Sequence, residues 1–348
     1  MIRKSFFSSP EFDSTRRGFG KGLLRLGSLF NDVWVLTADL GGSTCVNNFK
    51  DSFPDRFVQV GVAEQNLVCV ASGIASMNKV VFASSFAMFS PGRNWEQIRT
   101  TIAYNDQPVI VVGSHTGLGV GEDGATHQAL EDVALMRVIP NMVVVVPCDA
   151  LQAEKAVFSL YKRRGPSYLR LNRQKSPLIT TASSSFKLGS AQVLVDGKDL
   201  VIFGCGPILV EAIKASVILK NKGFSVAVVN IHTIKPLDEE SVVKFANKCG
   251  CFLVVEDHQI SGGLGSAISE VLIRSKPVKG DFVGINDEFG ESGDFNDLFW
   301  KHGLNSERIV TKALKLLRNK KNVKRVVKKS FSKKKVVKKS AKRFVKHK

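Results

Sequence analysis

Cysteine is scarce in this 348-residue chain and follows no pattern. Cys45, Cys69, Cys148, Cys205, Cys249 and Cys251 contain no CxxC pair and no framework spacing. In a chain this long, with apolar neighbours, they read as reduced thiols of a cytoplasmic protein. The Cys249-Gly-Cys251 pair reads as core thiols at the start of a strand rather than a metal site. No apolar run approaches the roughly 18 residues of a membrane span. The apolar part of Met1–Phe12 is only Phe6-Phe7, so no secretory leader is expected there. Acid is missing from the end of the chain: Lys312 to Lys348 holds 18 Lys or Arg and no Asp or Glu. The net charge of +19 therefore sits in a tail, because residues 1–311 carry 32 basic against 31 acidic residues. A basic, nucleic-acid-binding body is not indicated. Apolar residues at 44% exclude disorder of the whole chain, and the length suits two domains.

What is present is alternation. Short apolar runs rich in Val and Ile lie at Val33–Thr37, Phe57–Val60, Val80–Ser84, Val109–Gly113, Met142–Val146 and Tyr168–Leu171. Between them, segments such as Glu64–Met77 and Ala150–Tyr161 have helical periodicity. Buried strands separated by helices predict a mainly parallel sheet covered on both faces. Pro177 and the run Thr180–Ser185 mark a linker. A second alternation follows, with strands at Leu200–Phe203, Ser225–Val229, Phe252–Glu256 and Asp281–Ile285. Its helices are expected at Val210–Lys222, near Glu239–Asn247 and at Leu264–Arg274. The fold class is thus α/β, with two consecutive mainly parallel-sheet domains. Beyond them, Val326–Ser330 recurs as Val336–Ser340, a low-complexity repeat that predicts a disordered basic arm.

In parallel sheets, ligand sites gather at the carboxyl ends of strands. The polar and glycine-rich insertions sit there. Glu64 follows a strand and opens an apolar helix; taken alone it is a first-turn carboxylate favoured by the helix dipole. Phe86 and Phe89, three apart after a strand, are on their own core residues. Gly117–Gly124 is more telling, with four glycines in eight residues. Such density marks tight turns or a close approach of backbone to a ligand. His115 and His127 flank it and Asp123 lies within it, a grouping suited to proton handling on a polar substrate. The spacing is not that of a compact metal site, so no metal is assigned to this chain. Gly204-Cys-Gly206 and Gly262–Gly265 do not complete GxGxxG and read as close-packing turns.

In order, four pieces resemble the C-terminal half of transketolase: Gly61-Val-Ala-Glu-Gln-Asn66, Ser85-Phe-Ala-Met-Phe89, Gly121–Gln128, and Val255-Glu-Asp-His258 with Gly262–Gly265. The resemblance is closest to the separate C-terminal subunit of split transketolases and runs from Thr15 to about Leu317. It implies a thiamine diphosphate pyrimidine-binding domain at 13–174, a linker at 175–186, a transketolase C-terminal domain at 187–317 and the tail at 318–348. It also implies thiamine diphosphate as cofactor, with Glu64 bonded to the aminopyrimidine ring and Phe86 and Phe89 packed on it. His115, Asp123 and His127 correspond to contacts with sugar hydroxyls and carbonyl, His127 assisting proton transfer. Arg173 corresponds to a phosphate-binding arginine, and Arg16 and Ser43 to two further phosphate contacts.

Two departures stand out. The family's third aromatic is replaced by Gly92, which leaves the pyrimidine pocket looser or filled by another side chain. The family's Gly-Asp-Gly motif, which holds diphosphate and Mg²⁺, occurs nowhere in the sequence, and the stretch ahead of Arg16 is too short for its domain. The expectation is therefore half an enzyme. It pairs with an N-terminal transketolase subunit that holds Mg²⁺ and the diphosphate, two of each forming a heterotetramer. The reaction implied is transfer of a two-carbon ketol unit from a ketose phosphate to an aldose phosphate, as in pentose phosphate interconversion. The same architecture also serves the beta subunit of 2-oxoacid dehydrogenase decarboxylase components and deoxyxylulose phosphate synthase. A non-catalytic scaffold with a polyanion-binding tail is the alternative of another class. The tail reads as a solvated extension, with weak contact to nucleic acid or an anionic surface as the other reading.

Overall fold

The structure is a computed structural model and describes residues 2–318. Apart from Arg318, the basic arm expected at 318–348 lies outside the described residues. The first sheet has seven strands. Across it run Thr233–Lys235, Val143–Val145, Ser167–Arg170, Val109–Ser114, Val80–Phe86, Val33–Thr37 and Phe57–Gln59. All neighbours are parallel except the edge pair Thr233–Lys235 and Val143–Val145. Every residue of Val80–Phe86 and Val109–Ser114 is buried, as expected of central strands covered on both faces.

Two helices pack closely on one another, Thr15–Leu29 and Ala150–Arg163. Gly18 permits the approach, since a Cβ there would lie 2.0 Å from the Ala150 carbonyl oxygen. Ser14 caps the first helix, accepting from the Arg17 N–H at 3.4 Å. Thr15 Oγ1 accepts from the Asn172 N–H at 2.7 Å, so the first helical turn is fastened beside the residue preceding Arg173.

The second sheet has five strands in the order Lys279–Ile285, Cys251–Gln259, Leu200–Gly204, Val226–Asn230 and Gln192–Val195. Only the last is antiparallel to its neighbour. The strands and helices expected from periodicity are all present, with ends displaced by no more than three residues. Four short strands lie outside that reading, the antiparallel pair Phe12–Asp13 and Ser176–Pro177 and the edge strands Gln192–Val195 and Thr233–Lys235, because two to four residues carry almost no periodic signal.

The linker is not a free tether. Leu178, Ile179 and Thr180 are buried. The Asp149 carboxylate accepts from the Ile179 N–H at 2.8 Å, the Thr180 N–H at 2.5 Å and the Thr180 hydroxyl at 2.9 Å. The two domains also share one apolar core, in which Val144 and Val146 join Val229, Ile231 and Ile234.

At this junction lies a buried ion pair. Arg170 donates to Asp132 through Nε at 2.8 Å and Nη2 at 3.1 Å, and the Tyr168 hydroxyl donates to the same carboxylate at 2.6 Å. Arg170 Nη2 also reaches the carbonyl of Asp257 in the second domain, at 2.9 Å. Burial works against both charges. The partner overrides it, holding the Asp132 carboxyl below its usual range and raising Arg170. Removing one partner strands the other charge in a dry interior. Arg170→Met should therefore cost about 3–5 kcal/mol of stability, read as a lower urea midpoint at unchanged slope.

Candidate active site

Five adjacent strands of the first sheet deliver their carboxyl ends to one edge. Glu64 sits at the first position of the helix Glu64–Ala75, just beyond Phe57–Gln59. It is buried, yet its carboxylate has one hydrogen-bond partner, the Ser85 hydroxyl at 3.4 Å. Its backbone carbonyl is held by the Asn94 amide at 2.8 Å. A buried carboxylate with spare acceptor capacity at a helix N-terminus suits a protonated ring nitrogen.

Phe86 ends its strand, and Phe89 follows in a turn. Their rings lie 6.2 Å apart at 14°. His115 stacks on Phe86 at 3.8 Å, and His127 meets Phe89 edge-on at 5.3 Å and Phe86 at 6.4 Å. The two histidines and two phenylalanines thus form one cluster. Gly92, where the family has an aromatic, cannot carry one on this backbone: a Cβ there would lie 1.9 Å from the Met88 carbonyl oxygen.

His115 has φ +56°, and the Ser114 hydroxyl lies 3.0 Å from its Nδ1. Burial, reinforced by Arg16, Arg173 and His127, pushes its pKa down to about 3. It is a neutral imidazole at any working pH. His127 is half-buried, with Nδ1 engaged 3.0 Å from the Thr126 hydroxyl.

The cationic part of the site is Arg16 and Arg173. Arg16 donates to the Ser43 carbonyl at 2.7 Å, so Ser43 meets it through backbone rather than hydroxyl. Arg16 Nε is buried without an acceptor. Arg173 is held by the Val120 carbonyl and by Glu122, the latter at 3.1 Å. The Asp123 side chain stands exposed, with no hydrogen bond or ion pair. The structure therefore joins Phe86, Phe89, His115 and His127, places Arg16 with Ser43, sets both arginines in the field of His115, and leaves Asp123 apart.

Behind this edge is a group of residues to which the sequence reading gave no role. Glu256 accepts from the Leu264 and Gly265 N–H groups at 2.7 and 2.9 Å, at the start of the helix Leu264–Ser275. Burial pushes its pKa up to about 7. Asp257 accepts from the Leu118 N–H at 3.1 Å, and burial pushes it up to about 6. His258 is lowered to about 4 by burial, and its Nε2 accepts from the Ala134 N–H at 3.4 Å. The run Val255–His258 was the signal that could have found them. Asn94, beside Glu64, carried no sequence signal, and Ser85 stood in a motif without a role of its own. Among the described residues no group of three or more His, Cys, Asp or Glu is arranged to hold a metal ion, and no helix is long and apolar enough to cross a membrane. None of the six cysteines is in a disulfide, and the Cys249 and Cys251 thiols donate to the Gly197 and Asp199 carbonyls.

Fold and site together define a two-domain α/β protein built around a pyrimidine-binding domain. Residues 13–177 match the transketolase pyrimidine binding domain, and residues 189–309 match the transketolase C-terminal domain. The chain is 42% identical over 313 residues to a protein of Methanocaldococcus jannaschii described as a transketolase C-terminal section, covering 88% of this chain and 97% of that one. It is 38% identical over 281 residues to the 6-deoxy-6-sulfo-D-fructose transketolase subunit SqwH of Clostridium sp., covering 81% and 87%. A solved split-gene transketolase, an inactive β4 tetramer, superposes with a TM-score of 0.83 at 40% identity, covering 88% of this chain and 98% of that chain. The chain belongs to the transketolase family, as a subunit of the split form.

The depressed pKa of His115 makes a direct prediction. Its neutral ring contributes stability that is fully present above about pH 6.5, the unfolded value, and is lost as pH falls towards about 3. The His115 ring-proton resonance should hold still between pH 8 and 5 in an NMR titration of the folded chain.

Proposed function

We propose that this chain is the C-terminal subunit of a split transketolase that moves a two-carbon ketol unit from a ketose phosphate to an aldose phosphate. The observation that carries this reading is the convergence of Glu64, the Phe86/Phe89/His115/His127 cluster and two arginines at one sheet edge. The cofactor proposed is thiamine diphosphate, which when bound supplies the carbon nucleophile and the electron sink. Glu64 fits its pyrimidine: a buried carboxylate with one weak partner can accept from a ring N–H and favour the protonated ring. The paired rings of Phe86 and Phe89 offer flat apolar surface beside it.

The substrate end follows from charge. His127, half-buried with Nδ1 engaged, presents Nε2 for proton transfer at the substrate oxygen. His115 stays neutral, so it orients a hydroxyl or carbonyl by hydrogen bonding and does not act as a cation. Arg16 and Arg173 form the anion end, suited to phosphate or to a sulfonate such as the SqwH name implies. Asp123, exposed in the loop, reaches a substrate hydroxyl only when substrate lies across the site. The diphosphate and Mg²⁺ are assigned to an N-terminal partner subunit, two of each chain completing the enzyme. The relatives described as a section and a subunit support that division.

The test is reconstitution of the chain with a Gly-Asp-Gly-bearing partner, thiamine diphosphate and Mg²⁺, following ketol transfer from xylulose 5-phosphate to ribose 5-phosphate. Activity should appear only in the mixture. Carbon dioxide release from a 2-oxoacid without ketol transfer would instead select the decarboxylase reading. In the active pair, Glu64→Ala should reduce turnover by at least about a thousandfold, on the scale of a preorganised group acting at the transition state. Arg173→Ala should raise KM for the phosphorylated donor by about tenfold or more, roughly one charge-assisted hydrogen bond, with a smaller change in kcat.

A further inference from the structure

None of the proposed site residues belongs to the second domain, yet that domain grips the loop between His115 and His127. Three contacts define the grip. Asp257 is buried, and its Oδ1 accepts from the Leu118 N–H at 3.1 Å. Its other oxygen, Oδ2, has no hydrogen-bond partner and lies where a Cβ on Gly117 would be, at 1.9 Å. The Gln128 amide donates to the Glu291 carbonyl at 2.9 Å, and a Cβ on Gly290 would lie 1.8 Å from Gln128 Oε1. Ser292 packs on Gly124, at 2.5 Å from the place of its Cβ.

Within the loop, the positions are linked in turn. The Gly117 N–H donates to Ala129 at 2.9 Å, closing the base. The His127 N–H donates to Gly124 at 3.0 Å, and Gln128 Nε2 reaches the Gly121 carbonyl at 3.2 Å. Leu118 and His127 are thus joined by the loop backbone and the Gln128 side-chain amide, the path by which a shift at one reaches the other. Gly117 at φ +71° and Gly121 at φ +78° are the points at which such a turn would reopen.

We propose that Asp257 is a positioning residue of the second domain, fixing the substrate loop through the Leu118 N–H so that His127 is held at the Phe86/Phe89 cluster. The carboxylate does not reach the reacting atoms. Its effect is exerted by filling the hollow that Gly117 leaves and by satisfying a buried amide. The catalytic arm of the test rests on the transketolase reading; the loop arm does not.

The experiment has two readouts on Asp257→Ala and Asp257→Asn. Hydrogen exchange on the chain alone reports the loop. The alanine variant should raise exchange in the peptide spanning 115–129 by about tenfold or more, with the strands of both sheets unchanged. Asparagine keeps an acceptor for Leu118 and should stay within about twofold of the parent. In the reconstituted pair, alanine should raise KM for the donor and lower kcat, leave the affinity for thiamine diphosphate unchanged, and be rescued by asparagine. Where the alanine variant does not fold, Asp257→Ser, too short to reach Leu118, takes its place. Unchanged loop exchange in the alanine or serine variant overturns the proposal. So does a uniform rise across both domains, which marks a merely structural role, or an asparagine variant as impaired as alanine. A parent pair that is inactive refutes the transketolase reading, while the exchange result still decides the role of Asp257 in the loop.

Discussion

The Arg170 guanidinium is the interaction on which the rest of the arrangement depends. It lies at the carboxyl end of a strand in the first sheet and reaches Asp132, the Ala129 carbonyl and the Asp257 carbonyl. Those partners belong to a helix, to the end of the substrate loop and to the second domain. An arginine can serve all three because its donors are fixed in a planar fork and keep their charge when buried. Buried polar networks tend to be costly when one member is unmet. Here the geometry ties the domain angle and the loop base to one side chain, so error in either is paid for in desolvated charge.

The alternation of Val- and Ile-rich runs with amphipathic segments made both sheets legible, since a strand buried on both faces leaves an uninterrupted apolar run. The candidate site residues stood out for a different reason. They stand at strand ends, where glycine, histidine and carboxylate break an otherwise apolar text. The proximity of Arg16 to Arg173 was not legible, because it depends on Thr15 bonding to Asn172 across most of the first domain. Nor was the role of Asp257, since a carboxylate following a strand gives no hint of which distant amide it meets. Asp123 is the converse case: it belongs to a recognisable motif, but its side chain has no hydrogen bond or ion pair that would show its role.

Charge is divided sharply across the site. The face towards the proposed substrate carries Arg16, Arg173 and a histidine kept neutral by burial and by those arginines. The opposite side of the loop carries the carboxyl group of Asp257, raised by burial. The buried stretch 117–121 of the loop runs between cation and carboxylate. The Val120 carbonyl accepts from Arg173 and the Leu118 N–H donates to Asp257, so the loop backbone is polarised in one sense by both neighbours.

The strand Thr233–Lys235 completes the first sheet from within the second domain. During synthesis, the edge of Val143–Val145 emerges from the ribosome long before the strand that covers it. Until then a row of backbone donors and acceptors on a Val-rich strand is open to pairing with another nascent chain. The border between the two domains in sequence is thus not the border at which the first becomes safe from aggregation. A fragment cut at the linker would keep every residue of the proposed site and still lack the strand that seals its sheet.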